Sequence, residues 1–388
     1  MVTLLRNAPV VALLLMMFVT PQNGAELREF GKVRLMRVPE GGIQPQVAVD
    51  GRGEIHLIYF KGDPGHGDVY YVRAKNGALF SKPLKVNTQP GSAVAVGNIR
   101  GAHIAAGKNG RVHVAWNGAH APGGQGKEPM LYSRLNDAGT AFEPERNVIQ
   151  FAHGLDGGGA VAADAVGNVY VVWHAPEPGS EGEGHRRVWI ARSTDEGKTF
   201  ERERPAFDKP TGACGCCGLN AFADHSGALY VVYRSATEMV NRDMYLLVSR
   251  DQGQTFQGQN ISKWNVGYCV MSSESFAENG KTVMAGWETE KQVYFGRIDP
   301  ASGKLAQPIA APGASDNRKH PALAVNAAGE TLLAWTEGMG WKKGGTLGWQ
   351  IHDGSGKPQG EKGAAAGVPV WSLLAAFARP DGGFTIVY

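Results

Sequence analysis

Cysteine is scarce in this chain, and long apolar runs are scarcer. The 388 residues hold 4 cysteines and 19% charged residues. Beyond the first two dozen residues, no apolar stretch approaches the length that spans a bilayer. The formal net charge is only +3, with no block of like charge, which argues against a nucleic-acid partner. No heptad pattern is sustained, which excludes a coiled coil, and few segments carry a helical period. Strand patterns dominate instead. Turn formers are abundant: 54 glycines and 21 prolines, as many tight turns between short strands require.

The N-terminus stands apart. Met1-Val2-Thr3-Leu4-Leu5-Arg6 leads into a mostly apolar run from Ala8 to Val19, followed by Pro21-Gln22-Asn23-Gly24-Ala25. A basic start, a short apolar region and a small residue near the cut describe a secretory signal over residues 1–25. Residues 26–388 are then expected as a single domain, secreted or periplasmic, with no membrane span after cleavage.

One motif occurs twice. Ser193-Thr194-Asp195-Glu196-Gly197-Lys198-Thr199-Phe200 reappears as Ser249-Arg250-Asp251-Gln252-Gly253-Gln254-Thr255-Phe256. Each copy follows an apolar, strand-like run. Asp bonds nearby backbone N–H groups and Gly accepts positive φ, so the motif is a turn whose last aromatic tucks back under the sheet. Asp137-Ala138-Gly139-Thr140-Ala141-Phe142 reads as a decayed third copy, and Asn76-Gly77, Asp299-Pro300 and Asp353-Gly354 mark further turns. A motif repeated at this distance signals a repeat architecture.

The hairpins repeat as well. Seven second strands close on an aromatic: Tyr59, Trp116, Trp173, Tyr233, Trp287, Trp335 and Tyr388. Six are followed by an outer strand and a turn. The seventh ends the chain, while Lys32–Val38 has no hairpin of its own. Pairing the two would close a ring and remove its exposed edges.

The repeated motif resembles the Asp-box of sialidase-like (BNR repeat) β-propellers. The resemblance implies an all-β propeller of six or seven four-stranded blades, the hairpin count favouring seven. It also implies a geometry. Asp-boxes lie on a bottom face. The loops that enter each inner strand, and those that leave each second strand, form a top face over the central channel, where ligands bind. Aligning the hairpins on their turn glycines (Gly53, Gly110, Gly167, Gly227, Gly280, Gly329) places His153, Asp156 and His320 in the entering loops. It places His174 and His120 in the leaving loops. His153, Asp156, His174 and His320 are candidate ligand-binding residues. His56 and His113 fall inside second strands and are expected to be packed there.

The same alignment puts Cys214, Cys216, Cys217 and Cys269 in equivalent top loops of neighbouring blades. Three readings are open. In an exported protein an even count suggests disulfides, with Cys269 bridging one of the other three. The thiolates, with Met271 or a top-face His, also suit copper or zinc. A redox-active thiol pair is the third reading.

Sialidases of this kind clamp the substrate carboxylate with three arginines and attack with a Tyr activated by Glu. The candidates for these roles are Arg100, Arg234, Arg318, Tyr268 and Glu288. The family's Arg-Ile-Pro motif is missing, because the first inner strand opens Ile43-Gln44-Pro45-Gln46. The expected function is therefore an exported propeller that binds a ligand or metal on its top face through Cys/His loops. The alternative is an exo-sialidase-type glycoside hydrolase acting on sialylated glycans. A glycan or small molecule is the expected partner in either case.

Overall fold

A computed structural model of the protein describes residues 27–75, 79–119, 128–280, 282–314 and 317–388. The expected signal segment, His120 and the Asn76-Gly77 turn lie outside the described residues. The rest forms seven four-stranded sheets. In the first six, consecutive strands pair antiparallel, as in the blade Leu219–Ala223, Leu229–Arg234, Met244–Ser249 and Gln257–Ser262. Each inner strand packs against the next, and the last against the first, so the blades close a ring. The count is seven, not six.

The ring is sealed by both chain ends. Val33–Met36 pairs parallel with Phe384–Val387, and Leu27–Phe30 adds the outer strand. Backbone bonds extend the seam, from Val38 N–H to the Tyr388 carbonyl and from Tyr388 N–H to the Met36 carbonyl, each 3.0 Å. The seventh blade is thus assembled from residues more than three hundred positions apart.

Second strands are buried between neighbouring blades on both faces. That explains why they read as continuous apolar runs rather than alternating ones. Val112–Asn117 is buried at every position, and all seven closing aromatics are buried. The core is a set of interblade layers. In one, Val172 and Ile190 of the third blade meet Leu219, Val231 and Tyr233 of the fourth. Each buried aliphatic in such a layer contributes about 1.5–3 kcal/mol. His56 and His113 are buried in their strands, with Nδ1 at 2.8 and 2.7 Å from the hydroxyls of Tyr71 and Tyr132.

The turns explain the motif. All six aligned turn glycines have positive φ. In the two repeated turns, Ser193 and Ser249 each donate to the following Asp at 2.7 Å. Each Asp then accepts from the Thr N–H four residues on, at 2.9 Å. Phe200 packs edge-on to Tyr132 of the preceding blade, with ring centroids 4.8 Å apart. In the third, degenerate turn the side chain that accepts from Thr140 N–H is Asn136, not Asp137, which pairs with Arg111 instead. Antiparallel alternation puts these turns at the opposite end of each blade from the cysteine loops.

Candidate functional site

The loop Thr211–Gly218 enters the inner strand of the fourth blade. It is pinned from three sides. Cys214 N–H donates to the Arg234 carbonyl at 2.9 Å, Ala213 N–H to the Glu183 carbonyl, and Gly218 N–H to the Ser272 carbonyl. Cys217 N–H turns back to the Cys214 carbonyl at 3.3 Å. That single turn brings the Cα atoms of Cys214 and Cys217 to 5.4 Å, and these two form a disulfide, within the span such a bridge needs. The expected bridge from Cys269 is not formed. Cys216 and Cys269 are the free thiols.

Three of the four sulfurs nevertheless gather, and Cys269 stands beside one of them, Cys216. The sulfurs of Cys214, Cys216 and Cys217 lie within 4.8 Å of one another, with Cys214 Sγ 3.6 Å from Cys216 Sγ. The Cys216 thiol lies beside Cys269 of the next loop and near the Met271 backbone N–H. Burial, with Cys269 alongside, pushes Cys216 up to about 12. Trp264, Val266 and Val270 pack against the disulfide. Gly157 of the preceding blade is required by this packing. A Cβ there would stand 2.4 Å from the carbonyl oxygens of both Gly215 and Cys217.

Below the sulfurs lies a buried charged layer. Arg234 is fully buried, with its guanidinium carbon 5.2 Å above the Trp264 ring. It donates to the carbonyls of Arg242 and Glu288. Arg242 ties the two loops together: its N–H donates to the Trp264 carbonyl at 2.7 Å, and its Nη2 donates to Glu183 at 2.5 Å. Glu183 also accepts from Gly215 N–H. Lys319 donates to the Val270 carbonyl. Glu274 and Glu288 are buried beside Arg234, and burial raises both carboxyls, Glu274 well above the usual range. No side-chain donor among the described residues meets the Glu274 carboxylate. Arg186, Arg234 and Lys319 lie near enough to Cys216 to interact with its charge.

Two of the candidate histidines are already engaged by other groups. His174 is buried, with Nε2 3.1 Å from the Cys217 carbonyl and Nδ1 3.3 Å from Arg186 Nη1. Desolvation holds it down to about 4. His320 is buried against Ser273 Oγ at 2.9 Å and is held down to about 3. His153 is exposed. Asp156 pairs with Arg100 at 2.6 Å.

The three candidate arginines do not converge. Arg100 is taken up by Asp156 and the Val96 carbonyl. Arg234 is the buried strut just described. Arg318 faces the seam between the fifth and sixth blades, over the Trp335 ring at 4.9 Å, bonded to Gln292, Pro312 and Glu337. Tyr268 is exposed and packs edge-on to Trp264. Among the described residues, no hydrogen bond or ring contact joins it to the buried Glu288. Sequence reading missed Glu183, Arg242, Trp264 and Glu274, which carry no local turn or strand signal of a site.

The channel mouth is crowded on its other side. A Cβ at Gly97 would lie 2.8 Å from Arg100 Nη1, 3.4 Å from Met271 Cε and 3.6 Å from Trp341 Cζ3. Trp341 is largely exposed and stands edge-on to Trp371, with centroids 4.6 Å apart. On the bottom face a second cleft is lined by Arg52, Arg73, Lys108 and Arg111. Each of these cations already faces a carboxylate: Asp50, Glu54, Glu196 or Asp137. Among the described residues, no helix is long and apolar enough to cross a membrane.

No family model matches the chain, and no curated protein matches its sequence. Solved structures do match in fold. The Hadza microbial sialidase Hz136 is 13% identical with a TM-score of 0.51, over 81% of this chain and 69% of that one. The six-bladed fucose-recognising lectin of Aleuria aurantia is 11% identical with a TM-score of 0.51, over 85% and 96%. The alpha-L-arabinanase of Penicillium chrysogenum, complexed with arabinobiose, is 12% identical with a TM-score of 0.50, over 81% and 94%. At these identities the likeness speaks for the fold alone: a sialidase-like β-propeller.

Proposed function

We propose that this chain is an exported Asp-box propeller whose top face binds a soft metal ion, Cu(I), through Cys216 and Cys269. One observation carries the reading: two free thiols from neighbouring blades lie side by side. Cu(I) accepts few, soft ligands, whereas a structural zinc site asks for four. Here Cys214 and Cys217 are engaged in a disulfide, and His174 and His320 are engaged with other partners. Copper is therefore preferred to zinc. A bis-thiolate Cu(I) unit carries one net negative charge, and Arg186, Arg234 and Lys319 are cations within interaction range of Cys216. The disulfide and the N-terminal signal reading both suit an oxidising compartment, periplasmic or extracellular. The two repeated turns are read as Asp-boxes that support the fold and take no part in binding.

The test is anaerobic titration of the purified chain with Cu(I) against a competing chelator. About one ion per chain is expected, with proton release as the thiols ionise. Cys216→Ser and Cys269→Ser should each abolish it. Equal retention of Cu(I) by the double variant would overturn the reading. The alternative, hydrolysis of sialylated glycans, calls for arginines converging on one pocket above a Tyr–Glu pair. The different partners that hold Arg100, Arg234 and Arg318, and the absence among the described residues of any hydrogen bond or ring contact between Tyr268 and Glu288, weigh against it. An aryl sialoside should release no sialic acid.

A further inference from the structure

We infer that the same patch performs thiol–disulfide exchange on a solvent-accessible disulfide, with Cys269 as the attacking thiol and Cys216 as the resolving one. The inference shares its residues with the metal site but does not depend on the metal. It rests on an ordered line of sulfurs. Cys269 is exposed, Cys216 is half-buried, and Cys214 and Cys217 are buried. Cys216 stands between the two, beside Cys269 of the next loop on one side and 3.6 Å from Cys214 Sγ on the other. Exchange proceeds by a thiolate attacking a disulfide sulfur through a mixed disulfide, and access decides which thiol goes first. Only Cys269 is open to an incoming disulfide.

The steps balance. The Cys269 thiolate attacks one sulfur of an external R–S–S–R. A Cys269–S–S–R bond forms, the external S–S bond breaks, and one R–S⁻ leaves and takes up a proton. The Cys216 thiol then gives up its proton, and its sulfur attacks Cys269 Sγ. A Cys216–Cys269 disulfide forms, and the second R–S⁻ leaves and is protonated. The external disulfide gains two electrons and two protons, and the Cys216/Cys269 pair supplies them. Cys216 has a second path inward. Attack on Cys214 Sγ opens the Cys214–Cys217 bridge, makes Cys214–Cys216 and frees the Cys217 thiolate, with no net electron transfer. Oxidation removes both free thiols, so the oxidised patch cannot hold Cu(I) as a bis-thiolate.

The experiment uses the full chain, metal-free and under anaerobic conditions, with glutathione disulfide as the probe. Rapid alkylation and non-reducing peptide mapping should find transient glutathionylation on Cys269, then a Cys216–Cys269 bridge. Two glutathiones should be released per chain, the first as the probe's S–S bond breaks and the second as the mixed disulfide on Cys269 is resolved. Cys216→Ser should trap the mixed disulfide on Cys269. Cys269→Ser should react about tenfold more slowly or worse, since the exposed attacker is gone. Should a serine variant fail to fold, alkylating Cys269 in the unmodified chain before adding the probe gives the same readout, and blocked reaction is expected. A stable glutathione adduct on Cys269 in the unmodified chain, or a first adduct on Cys216, would overturn the inference. Because no metal is present, such a failure leaves the copper reading standing. Conversely, a failed Cu(I) titration leaves exchange standing.

Discussion

Arg234 shows how a single residue changes meaning between sequence and fold. It follows the closing aromatic Tyr233, where a substrate-clamping arginine is a reasonable expectation. In the structure its guanidinium is wholly buried and holds the loops of two blades, bonded to the carbonyls of Arg242 and Glu288. Arg100 and Arg318 were legible as top-loop residues for the same reason and are likewise spent on partners, some of them on other elements, such as Asp156 and Gln292. Such partners leave no local signal, so the sequence could place these arginines but not say what they touch. Removing one member of a buried charged group costs about 3–5 kcal/mol, because the remaining charges lose their compensation. Arg234→Met should therefore lower the unfolding free energy from urea titration by an amount of that size, with a lower midpoint, leaving Glu274 and Glu288 without their nearest cation. An unchanged midpoint would mean that both carboxyls are neutral in the folded protein and do not rely on Arg234.

At the scale of the element, the turns were the most legible part of the chain. Ser-x-Asp-x-Gly-x-Thr-Phe states its own chemistry, since acceptor, positive-φ residue and donors are all local. Asp251 accepts from Ser249 and Thr255, and Gly253 sits at φ 74° against the Tyr170 and Ile190 side chains. Asp251→Ala should cost about 1 kcal/mol, the net value of a local hydrogen bond. Cu(I) binding at the far end of the blade should be unchanged. A variant with wild-type stability and weakened copper binding would contradict the assignment of this turn to structure. The cysteine loop was half legible. Register brought the four cysteines to adjacent loops, but their pairing depended on a one-turn reversal at Cys214–Cys217 that spacing alone does not specify. Gly157, which admits that reversal by lacking a side chain, lies in another blade.

The whole molecule carries a consequence for pH. A closed ring buries its second strands on both sides, and several of the polar groups it encloses are imidazoles. His113, His174, His320 and His352 are all buried. Desolvation lowers them to about 3, 4, 3 and 4. In the unfolded chain they titrate near 6.5. Between that value and the folded ones, the unfolded state binds more protons, so stability rises with pH across the window and is lost as pH falls through it. Glu274 and Glu288 act in the opposite sense. Their folded pKa values are raised, so they favour the folded state at low pH and lose that contribution as pH rises. Four imidazoles outweigh two carboxyls. The denaturation midpoint should fall between pH 7 and pH 5, before the carboxylates of the turns, Asp195 and Asp251 at about 2, begin to protonate. Each imidazole contributes a slope of up to about 1.4 kcal/mol per pH unit. His352 lies 4.9 Å from the Phe295 ring, so His352→Phe should be accommodated and should remove one such increment. Denaturant titrations of both proteins at pH 7, 6 and 5 check this. A flat profile for the unmodified chain, or an unaltered slope in His352→Phe, would show that the buried imidazoles take up protons without unfolding the ring.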